Sequence, residues 1–280
     1  MSLRKGFQFD QIGYWSEIKL EIIKKYAAAY SKILNAQKYP SFYHVYIDGF
    51  AGAGVHKSKG TGEYVLGSPL NALLTKPPFK EYHLIDLDPG KIDNLKEIVG
   101  DRNDVYFYQG DCNNILLEKI FPKIQYKDYR RGLCLLDPYG LHLAWQLIFV
   151  AGQMKSIEIF LNFPVADMNR NVLWKEFEGV DPADIARMDA FWGDRSWKEI
   201  AYSRDRNLFG WPEKEENEVI AQAYKKRLQQ VAGFDYVPNP IPMRNSKGAT
   251  IYYLFFASHK PVASGIVSDI FSKYKDKGAP

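Results

Sequence analysis

From residue 14 to residue 34 apolar side chains recur at helical spacing: Trp15, Ile18, Ile22, Ile23, Tyr26, Tyr30, Ile33 and Leu34. Residues three and four apart share one face of an α-helix, so the pattern predicts an amphipathic helix packed on a core. Lys19, Lys24, Lys25 and Lys32 read as its solvated side. Beyond it the pattern changes to short apolar runs separated by helical stretches. Strands are predicted at 42–48, 81–88, 105–111, 132–137 and 157–163, with helices at 89–99, around 113–120 and near 143–154. Strands apolar along their whole length and alternating with helices imply a parallel sheet covered on both faces.

The end of the chain reads differently. A helix over 214–232 precedes a Pro-rich strand candidate at 236–243, a turn at Asn245-Ser-Lys-Gly and a strongly apolar strand at 250–258. Two strands joined by so short a turn run antiparallel. Between 164 and 213 no strand pattern appears. That stretch holds Trp174, Trp192, Trp197 and Trp211 with Arg170, Arg187, Arg195, Arg204 and Arg206, and it reads as a helical cap. Such a mixture suits base stacking and phosphate contact, or a small helical subdomain with its own core, and the second reading is preferred for most of the tryptophans. The expected organisation is a helical segment at 1–40, an α/β core at 41–164, the insertion at 165–213 and completion of the sheet at 214–280. The first few residues and the tail from about Tyr274 read as frayed ends.

Composition narrows the class. A net charge of +4 is mildly basic, which permits a nucleic-acid partner without arguing for one. The two cysteines, Cys112 and Cys134, make neither a disulfide framework nor a metal site, and they read as buried thiols in a reducing cytoplasm. The most apolar run, 251–257, falls far short of the ~20 residues of a spanning helix, so no membrane association is expected.

Open α/β sheets bind ligands beyond the carboxyl ends of their strands, and four such ends here carry chemistry. The first is Asp48-Gly49-Phe50-Ala51-Gly52-Ala53-Gly54. Its glycines let the backbone turn tightly and approach a ligand, and Asp48 suits a cofactor with a positive amine. The dinucleotide fingerprint G-x-G-x-x-G fails, since Lys57 stands where its third glycine would be, and a phosphate-binding P-loop fails too. At the second end Asp86 is placed to accept ribose hydroxyls, while Asp88 before Pro89 reads as a helix cap. At the third, Asp111 beside Cys112 suits an adenine amine or a helix cap. The fourth is Asp137-Pro138-Tyr139-Gly140, where a carboxylate and a backbone carbonyl can accept hydrogen bonds from an amine while the ring stacks on a planar base. Asn162, ending the fifth strand, suits either a pocket or a turn.

These residues resemble the class I S-adenosylmethionine-dependent methyltransferases, in particular the amino-methylating branch with an (Asp/Asn)-Pro-Pro-(Tyr/Phe) motif, from which Asp137-Pro138-Tyr139-Gly140 departs by lacking the second proline. The glycine loop with Gly67-Ser68-Pro69-Leu70 is also similar to that of the bacterial 23S ribosomal RNA adenine methyltransferases. Over most of its length the chain resembles the bacterial three-Cys-motif partner proteins, which share the N-terminal helix, Asp-Gly-Phe-Ala-Gly, Gly-Ser-Pro and Asp-Pro-Tyr-Gly. The resemblance implies a Rossmann-like methyltransferase fold, with a mostly parallel seven-stranded sheet, an antiparallel terminal strand and a helical insertion. It implies S-adenosylmethionine as cofactor, held by Asp48, Gly49, Gly52, Gly54, Ser68, Asp86, Asp111 and Cys112, with Asp137, Pro138 and Tyr139 catalytic. The expected reaction is methyl transfer to a nitrogen of a planar acceptor such as a base in RNA or DNA, and a protein partner encoded nearby is implied. Two rivals stand beside it: a non-catalytic module of the same fold that binds nucleic acid or protein, and a nucleotide-binding oxidoreductase.

Overall fold

The computed structural model of the chain describes residues 9–174, 179–206, 212–245 and 247–275. Its central sheet has seven strands: β1 (Tyr43–Asp48), β2 (Glu81–Asp86), β3 (Val105–Gln109), β4 (Arg130–Leu136), β5 (Ile157–Phe163), β6 (Ile241–Arg244) and β7 (Thr250–Ala257). They lie in the order β6-β7-β5-β4-β1-β2-β3. β7 runs antiparallel to both its neighbours and every other pairing in the sheet is parallel. This is a Rossmann-like α/β fold with an antiparallel terminal strand. The chain builds outward from β1 to β3, then returns to add β4 on the other side. The crevice left at that reversal, above the carboxyl ends of β1 and β4, is where such sheets hold ligands.

Alternation along the buried strands splits the core in two. Val45, Ile47, Cys134, Leu136, Ile159 and Leu161 face one apolar layer, closed by helices Trp145–Met154 and Asn217–Gln230. Tyr46, Leu133, Leu135 and Phe160 face the other, covered by helix Tyr14–Ala36 and helix Pro261–Ser272. There Tyr26 packs edge-on against Phe160 and Phe256, with ring centroids 5.3 and 4.8 Å away.

The structure departs from the sequence pattern where local chemistry overrides it. β2 stops at Asp86 because Asp88 already caps helix Pro89–Val99, accepting from the Gly90 N–H at 2.8 Å. The Pro-rich strand contracts to Ile241–Arg244, since Pro238 and Pro240 have no N–H to give a ladder. The helix expected at 113–120 is Cys112–Ile115 followed by a π-helical turn, Leu116–Ile120. A second sheet joins Gln11–Ile12, Val55–Ser58 and Tyr64–Leu66 beside the glycine loop.

The insertion holds helices Val165–Asn171, Pro182–Trp192 and Trp197–Ala201, and also a hairpin of Tyr202–Arg206 with Pro212–Lys214 where no strand pattern is visible. Trp192 and Trp197 are buried and join the same apolar cluster as Phe163 and Tyr224 rather than forming a core of their own. Trp174 stays 42% exposed. Tyr274 is buried and accepts a hydrogen bond from Lys25, so the packed chain extends past the point where fraying was expected. Trp211, Ser246, the first eight residues and the last five lie outside the described residues. No helix among the described residues is long and apolar enough to cross a membrane.

Candidate active site

A cleft of about 480 Å³ opens above the ends of β1, β4 and β5, within the ~300–1,000 Å³ range of small-molecule sites. One wall is the glycine loop at Phe50, Ala51 and Gly52 with Ser68 behind it; Asp137, Pro138, Tyr139 and Asn162 form the strand-end wall. Leu136 of β4 pairs with Leu161 of β5, so Asp137 and Asn162 follow at matching positions on adjacent strand ends. Helix Tyr14–Ala36, Tyr252 of β7 and the segment from Asp10 to Gly13 close the remaining sides.

The loop is held open for a ligand by its own backbone. Gly52 has φ +64°, and a Cβ there would meet only His56 Cε1, at 3.9 Å. The missing side chain therefore leaves space on the cleft side. Gly54, at φ +82°, serves packing instead: a Cβ would stand 2.6 Å from Leu95 Cδ1. Asp86 splints this turn. One carboxylate oxygen accepts from the Gly52 N–H at 2.8 Å and the other from the Asp88 N–H at 2.9 Å. Each oxygen keeps a second lone pair, so Asp86 retains capacity for a ribose hydroxyl.

Asp137 is paired with a lysine that sequence reasoning placed in solvent. Lys19 is buried and donates to Asp137 Oδ2, with Tyr252 beneath its ammonium at 5.2 Å from the ring centroid. Burial alone would pull the Lys19 pKa down; the Asp137 charge outweighs it and holds the ammonium well above its usual range. Lys19 is therefore charged at neutral pH, and among the described residues Asp137 Oδ1 is left without a hydrogen-bond partner. The signal was present in the sequence: Lys19 lies four residues after Trp15 and four before Ile23, on the buried stripe of the helix.

A second charged group sits at the mouth. Lys91 donates to Asp10 at 2.7 Å and to the Tyr139 hydroxyl at 3.1 Å, and that hydroxyl donates to Asp10 at 3.2 Å. Partial burial opposes the Asp10 charge, but Lys91 overrides it and keeps that carboxyl below its ordinary value. Tyr139 is thus oriented by the N-terminal segment, which Gln11 and Ile12 anchor by pairing with Lys57 and Ser58.

Asp48 does not line the cleft. It is wholly buried beneath the loop, accepting from the Tyr46 hydroxyl and the Phe50 N–H, each at 3.2 Å. Burial pushes its pKa up to about 6, against the pull of hydrogen bonds from Ser68 and Phe50 and with a push from Asp137. Ser68, which does line the cleft, links the two. Gly49 packs against Leu136 and Cys112, and Cys112 and Cys134 are free, buried thiols. Asp111 caps helix Cys112–Ile115 through the Asn114 N–H at 3.2 Å. The structure therefore gathers Gly52, Ser68, Asp137, Pro138, Tyr139 and Asn162 around one space, with Asp48, Gly49, Gly54, Asp86, Asp111 and Cys112 off its wall. Sequence reasoning missed Asp10, Lys19, His56 and Lys91.

No family model matches the chain, and no curated protein does. Among solved structures, it is similar to a Legionella pneumophila protein of the DUF519 family, at 13% identity over 95% of each chain with a TM-score of 0.48. It is also similar to the methyltransferase domain of a bacterial Hen1, at 11% identity over 88% of this chain and 100% of that one, with a TM-score of 0.43.

Proposed function

We propose that this cleft binds S-adenosylmethionine and that the chain transfers its methyl group to a nitrogen of a planar acceptor such as a nucleic-acid base. The observation that carries the reading is the meeting of Asp137-Pro138-Tyr139 with the cleft face of Gly52 and with Ser68 around one space at the sheet's reversal point. The residues fit such a cofactor. Gly52 leaves room that a Cβ would fill, and Ser68 stands over a buried carboxylate suited to an amino-acid amine. Asp86 and Asp111, which lie off the wall of this cleft, are the candidates for ribose and adenine where the cofactor reaches past Gly52. When bound, the cofactor supplies an activated methyl group on a sulfonium.

The chain's own part is positioning. Asp137 Oδ1 accepts one N–H of the acceptor and a backbone carbonyl of the Asp-Pro-Tyr turn accepts the other, which aims the nitrogen lone pair. Lys19 fixes the orientation of the carboxylate by donating to its Oδ2. Tyr139, held by Lys91 and Asp10, offers a ring for stacking. The acceptor's proton departs once the new N–CH3 bond has formed, so no strong base is needed.

Calorimetric titration with S-adenosylmethionine and S-adenosylhomocysteine, followed by transfer of a tritiated methyl group to RNA and DNA pools, tests the proposal. Binding by the wild type, retained in Asp137→Ala while transfer is lost, is expected. Absence of binding to either ligand refutes it. Binding with no transfer to any pool favours the non-catalytic module, a reading supported by the absence of the second proline and by the prior engagement of Asp137 with Lys19.

A further inference from the structure

His56 is a polar side chain of the cleft that neither the fold nor the proposed reaction uses. It lies two residues after the glycine loop, on the strand Val55–Ser58, and its ring lines the cleft between Gly52 and Gly67. A Cβ on Gly67 would approach His56 Nε2 to 3.2 Å and one on Gly52 would approach Cε1 to 3.9 Å, so two glycines cradle the imidazole. Among the described residues neither ring nitrogen has a hydrogen-bond partner, and Nδ1 is buried. Nε2, equally without a partner, is not shut away, so it is the nitrogen that a ligand in the cleft can meet, while Nδ1 stays sealed behind it.

The surroundings decide what kind of ligand. The charges facing His56 are Lys19 from the N-terminal helix, Lys91 from helix Pro89–Val99, Asp10 from the N-terminal segment and Asp137 from the end of β4. Both carboxylates are already engaged, Asp137 by Lys19 and Asp10 by Lys91. Neither of these two carboxylates is left over to hold a protonated imidazole, and burial with the Lys19 charge keeps its pKa below the ordinary value. An incoming carboxylate supplies the missing anion. One approaching over Gly52 meets the imidazole directly.

We propose that His56 binds the carboxylate of the cofactor's amino-acid end and takes up a proton as it does so. This rests on the cofactor reading above and adds to it a named ligand group and a proton linkage. The uptake is simple protonation: the imidazole gains H⁺ from solvent, and the ion pair His56⁺–carboxylate replaces a neutral ring.

The test uses S-adenosylhomocysteine, which has the carboxylate, and 5′-methylthioadenosine, which lacks the amino-acid end. Each is titrated calorimetrically at pH 6.5 into wild type and His56→Gln, in buffers of different ionisation enthalpy, so that proton uptake is read alongside affinity. A carboxylate contact raises a histidine pKa by about 1–3 units. The wild type should therefore take up about half a proton more than His56→Gln on binding S-adenosylhomocysteine and bind it about tenfold more tightly. Any proton released by Asp48 is common to both proteins and cancels in the difference. 5′-Methylthioadenosine should bind the two equally, which also shows that the variant is folded. Equal affinity and equal proton count for S-adenosylhomocysteine overturn the inference and leave the cofactor reading standing. Equal weakening of both ligands overturns it as well, because the ring then touches the shared adenosyl part. Failure of the wild type to bind either ligand removes the cofactor reading and this inference with it.

Discussion

Replacing Asp48 by asparagine measures how strongly burial acts on the carboxylate under the glycine loop. In the fold Asp48 titrates at about 6, against an ordinary 3.8, because it is shut away from water. Between those two values the folded chain holds a proton that the unfolded chain has released. Stability therefore falls as pH rises through that window and stays level above it. The gap is about two pH units, which at 1.36 kcal/mol per unit is about 3 kcal/mol of destabilisation at pH 8 relative to pH 4. Asparagine has nearly the same shape and no charge, so the variant should lack this slope. Urea unfolding of both proteins from pH 4 to pH 8 gives the difference directly, and other titrating groups cancel. The stability of Asp48→Asn minus that of wild type should rise by about 3 kcal/mol across the range. A difference that stays flat, or falls with pH, would show that the buried carboxylate is solvated or paired after all, and the reasoning would fail. The variant should also bind S-adenosylhomocysteine more weakly. A more stable protein that loses its ligand is what a strained functional group predicts.

Lys19→Met should destabilise by about 2 kcal/mol, less than the ~3–5 of a fully buried pair because Asp137 keeps 27% of its side chain in solvent. Combining it with Asp137→Asn should recover part of that loss in a double-mutant cycle, and a coupling of zero would remove the ion pair from the account. Gly54→Ala forces a side chain at φ +82° into Leu95, so the thermal midpoint should drop by several degrees; an unchanged midpoint contradicts the packing described. Tyr139→Phe should leave global stability within about 0.5 kcal/mol. It should nonetheless speed amide exchange at Lys59, whose N–H is bonded to the Ile12 carbonyl at 2.8 Å, since the hydroxyl helps pin that segment through Asp10. Exchange as slow as in wild type would show that the segment is held by other contacts.

The parallel strands were legible because burial on both faces leaves an unbroken apolar run; helix Pro89–Val99 and strand Ile157–Phe163 fall where the pattern put them. The small sheet was not legible. Gln11–Ile12 is too short to carry a period, and Val55–Ser58 has a single apolar residue, Val55, inside what reads as a loop. The hairpin of the insertion was missed for a like reason, its strands being brief and polar. In the site, motif reading found the residues that follow strand ends. The buried stripe of the helix could have given the burial of Lys19 but not its partner, and nothing marked Asp10, because these contacts arise only when the N-terminal segment folds over β4, more than a hundred residues later in sequence. Asp48, expected at the cofactor, ends a central strand, and its neighbours keep it off the cleft wall with Ser68 between.

The cleft is assembled from both ends of the chain, and this bears on how it is made during synthesis. Lys19 lies over Tyr252, Tyr26 packs on Phe256, and Ile251 and Tyr252 form part of the cleft wall. A nascent chain that has released β1 to β5 from the ribosome can pair five parallel strands, yet helix Tyr14–Ala36 still lacks part of its cover. Until β7 emerges, the aromatic face of that helix stays exposed and Lys19 has no ring beneath it. The cleft should therefore close only once β7 has emerged, and ribosome-bound fragments ending before residue 250 should be the species most in need of a chaperone.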